Sequence, residues 1–90
     1  MPPDVKRGDE IIVGEKRAII YAKLYDGTED PGPAGYRIGV VYLEGSSGMA
    51  NMAYWSEPDQ CWQFVKDEVP QVARPGLDKL VEKLRFRVVK

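Results

Sequence analysis

The amino-acid sequence predicts a mainly β fold: an antiparallel barrel of five to six short strands, with one short C-terminal helix before the last strand. Three observations carry this. Arg17 to Tyr25 alternates strictly, with Ala18, Ile20, Ala22 and Leu24 on one apolar face and Arg17, Ile19, Tyr21, Lys23 and Tyr25 opposite. Tyr36 to Trp55 reads as two apolar strands, YRIGVVYLE and MANMAYW, joined by the glycine-rich turn GSSG. Leu77, Leu80, Val81 and Leu84 recur at i, i+3, i+4 and i+7, the period of a helix.

In order along the chain, residues 1 to 8 are expected as a loose arm, because Pro2 and Pro3 disfavour helix and apolar alternation begins only after Gly8. Asp9 to Val13 is a first strand. Gly14, Glu15 and Lys16 form a tight polar connection into the second strand, whose Ala/Ile/Ala/Leu face belongs in the core. Small and large residues alternating inward suit the taper of a tightly curled sheet. Asp26 to Gly35, DGTEDPGPAG, is the one long loop. In the strand after it, Tyr36, Ile38, Val40 and Tyr42 face one way and Arg37, Gly39, Val41 and Leu43 the other, so both faces are largely apolar. Such a strand lies centrally in a curled sheet or carries a helix or ligand over its second face. Ser56 to Gln60 is a turn built on Pro58 and Asp59, and Cys61 to Val65 is a strand with Trp62 and Phe64 on one face. Asp67 to Arg74 is irregular, interrupted by Pro70. A helix is predicted from about Gly76 to Leu84, opened by Pro75, with Asp78 near its start and Lys83 and Arg85 near its end to match the dipole. Arg85 to Val89 is expected as a last strand pairing with the first.

Composition narrows function by exclusion. Ninety residues make one domain, spanning 1 to 90, by the usual length prior. Hydrophobic residues at 43% and charged residues at 30% describe a packed soluble fold. One cysteine, Cys61, allows no internal disulfide, so a reducing, cytoplasmic setting is expected. With no histidine, the Ser/His/Asp and Cys/His plans and the usual zinc sites are absent within one chain. No metal and no cofactor is expected. A net charge of -1 gives no global attraction to nucleic acid or to an anionic membrane, and no apolar run approaches a membrane span.

The order of short strands, the long loop after the second strand and the helical turn before the last strand resemble the SH3-like small barrels. GDEIIV, a glycine turn and RAIIYAK resemble the opening of KOW and Tudor-type barrels, with Gly14 matching the first glycine of the KOW pattern and Ala18 standing where it places a second. That resemblance implies ribosome or RNA binding. AKLYDG, residues 22 to 27, resembles the ALYDY stretch of signalling SH3 domains, which implies a groove for proline-rich peptides reached through Tyr25.

Two constellations stand out as candidate sites. Tyr25, Tyr36, Trp55 and Trp62, if gathered beside Asp26, Glu29 and Asp30 of the long loop, form an aromatic and carboxylate surface suited to a cationic group of a protein or peptide partner. Lys79, Lys83, Arg85 and Arg87, joined by the basic residues near the start if the first and last strands pair, form a positive flank for nucleic acid. The sequence is therefore read as a non-catalytic binding module for a protein or peptide partner, or for its own kind through exposed strand aromatics. A nucleic-acid module is the alternative, and an enzyme with an active site between subunits is the third reading.

Overall fold

Turn chemistry sets two of the hairpins. Gly14 and Gly45 both adopt positive φ (62° and 64°), and each occupies the first central position of a two-residue loop whose second residue keeps negative φ, as a type II′ turn needs. In the computed structural model, residues 4–23, 37–66 and 68–88 are described, the last three by backbone alone. The strands are β1 (Glu10–Val13), β2 (Lys16–Lys23), β3 (Arg37–Glu44), β4 (Ser47–Ser56), β5 (Cys61–Phe64) and β6 (Gln71–Val72). A 3-10 turn, Pro75–Leu77, leads directly into α1 (Asp78–Val88).

Each of β1 to β4 pairs antiparallel with the strand that follows it, and β3–β4 is the longest match, from Arg37↔Tyr54 to Glu44↔Ser47. Five strands in up-and-down order must bring the first and last together pointing the same way. The barrel accordingly closes through a parallel β1–β5 contact at Val13↔Trp62, reinforced by Gly14 N–H donating to the Trp62 carbonyl at 2.9 Å. The expected all-antiparallel barrel is thus a mixed one, because the strand count is odd. β6 lies outside it, on the same edge of β4 as β5.

The predicted inward rows fill the interior. Val13, Ala18, Ile20, Ile38, Val40, Tyr42, Ala53 and Trp62 form the buried cluster, with Ile11, Met49, Trp55 and Phe64 against it. Ala22, expected in the same inward row, leaves it: a register shift between Ile20 and Ala22 pairs it with Gly39 of the outer face, where it is half-buried, and Leu24 lies outside the described residues. Val5, in the stretch expected as a loose arm, is buried in the same cluster. A turn fastens it there: Lys6 N–H donates to the Asp9 carboxylate at 3.0 Å, and Gly8 N–H to the Ile20 carbonyl at 2.8 Å.

The second apolar face of β3 is covered by the helix. Ile19 and Val41 pack with Leu77, Val81 and Leu84, and Leu43, Ala50 and Leu80 join from the edges. The helix lies close over Gly48, where a Cβ would stand 2.9 Å from one Val81 methyl. Arg85 ties the helix to the β3–β4 turn by donating to the Ser46 carbonyl at 2.8 Å, while its other nitrogen meets Glu82 at 3.2 Å. The last strand expected from Arg85 to Val89 is not formed: α1 runs on through Val88, and β1 takes β5 as its neighbour. The helical period of Leu77, Val81 and Leu84 reaches Val88 at the next step. Continuing it keeps backbone bonds inside the segment, while a strand would need a barrel edge that β5 already fills.

Candidate functional site

One irregularity in the sheet builds a recess on the outer face. Ile20 pairs with Val40 and Ala22 with Gly39, so Tyr21 is the extra residue of a β-bulge. Bulges re-aim side chains. Tyr21 turns onto the outer face and lies across Gly39, where an added Cβ would come within 2.5 Å of the ring. Only a residue without a side chain lets the ring lie on the sheet there.

The strap from β5 to α1 supplies the opposite wall. Val65 N–H donates to the Met52 carbonyl at 3.0 Å, and Ala73 N–H to the Gly48 carbonyl at 2.9 Å, so the strap is fastened to β4 at both ends. β6 keeps it on β4 at Gln71 and Val72, and residues 68–70 before β6 stand off the ladder. The Met52 N–H points into that gap and is taken by the Oδ1 of Asn51 at 2.7 Å. A groove of about 180 Å³ results, with Tyr21, Met52 and Leu77 along it and Val69, Val72 and Arg74 on the strap side. Val69 and Val72 are 76% and 75% exposed. The Arg74 guanidinium stands over the Tyr21 ring, 6.0 Å from its centroid, within cation–π range. A smaller recess of about 130 Å³ lies between Lys16, Arg17, Leu43 and Leu84. Its two cations already pair with Glu44 at 3.2 Å and Glu10 at 2.9 Å.

Of the predicted aromatic and carboxylate set, Tyr25, Asp26, Glu29, Asp30 and Tyr36 lie outside the described residues. Trp55 and Trp62 are brought together, ring against ring at 5.3 Å in a T-shaped contact. Both belong to the interior: Trp62 is 4% exposed and Trp55 is half-buried against the same cluster. Tyr42 and Phe64 add a tilted pair at 5.0 Å. Burial pushes the Tyr42 hydroxyl's pKa up, and Glu44 pushes it further, against the pull of Lys16 and of a hydrogen bond from Asn51. The barrel thus takes four large rings, and Tyr21 and Tyr54 remain among the half-exposed ones.

In the predicted basic set, Lys79 and Lys83 are exposed on α1, Arg85 is engaged with Ser46 and Glu82, and Arg87 is placed by its backbone only. Near the chain start, Lys16, Arg17 and Lys23 each face an acid, the last with Asp4 at 3.6 Å. Among the described residues, no three His, Cys, Asp or Glu side chains converge as a metal site requires. No helix there is long and apolar enough to cross a membrane.

The groove residues Tyr21, Gly39, Met52, Val69, Val72 and Arg74 come from four segments and were not assembled from the sequence. One signal pointed to them: Gly39 interrupts an otherwise bulky strand, and a strand-interior glycine marks a bulge or a close approach. Comparison with protein-family models, with curated proteins and with solved structures gave no match for this chain.

Proposed function

We propose that the chain is a non-catalytic protein-binding module of the kind SH3-like barrels exemplify, acting in the cytoplasm and holding an extended segment of a partner protein in the groove over Tyr21. The observation that carries this reading is the pair of exposed valines, Val69 and Val72, beside an open recess of mixed polar and apolar lining floored by a half-buried tyrosine. Size argues for a side chain as the occupant. About 180 Å³ is below the roughly 300–1,000 Å³ of small-molecule sites, yet it gives room for one large apolar side chain of a peptide. Tyrosine is also among the residues that dominate protein interfaces.

The test is selection of binders from a displayed random-peptide library, followed by titration of the selected peptide into ¹⁵N-labelled protein. Amide shifts should concentrate at Gly39, Ala50, Met52 and residues 69–74. Tyr21→Ala and Val72→Asp should each weaken binding about tenfold or more, as interface anchors do, with little change in melting temperature. Shifts confined to another face, or unchanged affinity in both variants, would overturn the reading.

A further inference from the structure

Resting on the groove as a peptide site, we infer that its ligand is an acidic and apolar segment, with a carboxylate seated on Arg74 beside an apolar side chain in the recess. Four cations in or next to the barrel are answered by acids: Lys16 by Glu44, Arg17 by Glu10, Lys23 by Asp4 and Arg85 by Glu82. Arg74 lines the groove with no acid partner there, and its contact is the face of Tyr21. Stacking on a ring leaves the edge of a guanidinium, with its fork of N–H donors, open to a carboxylate in the plane. The adjoining 3-10 turn fixes the backbone on which it is mounted, since Leu77 N–H bonds back to the Arg74 carbonyl at 2.9 Å. Two exposed valines on the strap and a cation standing over the ring together specify the chemistry of the occupant. Glu68 lines the same groove and disfavours an acid seated beside it, which favours Arg74 as the carboxylate's seat.

The experiment measures fluorescence anisotropy of a labelled peptide carrying Leu-Asp-Leu at its centre, against identical peptides with Asn or Lys in place of Asp. The Asp peptide should bind about fivefold tighter than the Asn one, as a solvent-flanked ion pair gives. That advantage should shrink as salt rises from about 0.05 to about 0.5 M, vanish in Arg74→Gln and turn in favour of Lys in Arg74→Glu. If the three peptides bind wild type equally while Tyr21→Ala still abolishes binding, the acidic preference is overturned and the groove reading stands. Tighter binding of a single-stranded oligothymidylate than of the Asp peptide, lost in Arg74→Gln, also overturns it. If no peptide binds, the groove reading fails and takes this inference with it.

Discussion

Gly48 and Gly39 lie on the same outer face of the β3–β4 hairpin and have opposite fates. Above Gly48 the sheet is sealed: Val81 sits where a Cβ would go, Leu84 and Leu77 flank it, and that half has become a second core. Above Gly39 the cover is one tyrosine ring, half-buried, with an open recess beside it. The difference is what each glycine admits. A helix brings a row of apolar side chains at fixed spacing and closes the surface, while a single bulged residue closes only the area of its own ring. One face of one hairpin is thereby divided into a half that stabilises and a half that stays available.

The largest break in this comparison comes from Leu84→Ala. Leu84 is 2% exposed, so its truncation should cost about 2–5 kcal/mol, a large part of the 5–15 kcal/mol that holds a domain together. Urea unfolding measures it, and a loss under about 1 kcal/mol would mean that the helix is an accessory and not a core element. Next is Gly48→Ala, where the new methyl meets both Val81 methyls within 3.0 Å. Overpacking of this kind should cost about 1–3 kcal/mol. Combining it with Val81→Ala should cost less than the two single changes summed, a coupling that a double-mutant cycle reads directly. The smallest effect on stability, under about 1 kcal/mol, is expected for Gly39→Ala, because the atoms in the way are the far end of a flexible side chain that can swing outward. Its peptide affinity should nevertheless fall with the displaced ring. A Gly39→Ala protein that loses as much stability as Gly48→Ala would erase the distinction between the halves.

Much of this fold was legible because alternation is a local signal. The row of Ala18 and Ile20 and the two-faced reading of β3 each follow from side chains pointing to opposite sides in turn, and the interior and the helix-covered face match them. The Pro58 turn was equally local. The end of the chain misled because RFRVV satisfies two periods at once, and the competitor that won depends on β5 already occupying the edge of β1, a fact no window of five residues contains. The groove was the least legible feature. A bulge at Tyr21 shifts the pattern by one residue from there to the end of β2, and the opposite wall arrives from a strap thirty residues after Gly39 that has almost no regular structure. Trp55 and Trp62 drew attention as surface candidates because of their size, and size is also what fills a small barrel.

The Asn51 carbonyl that takes the amide of its own neighbour reaches beyond local geometry. Where β5 and β6 part, β4 shows a short bare margin, the kind of opening through which strands of separate molecules zip together. By folding back on Met52, the Asn51 side chain occupies the amide donor there. Valine at this position would raise strand propensity and strip that guard away. A residue that looks suboptimal for a strand therefore occupies a backbone donor on an interrupted border of β4.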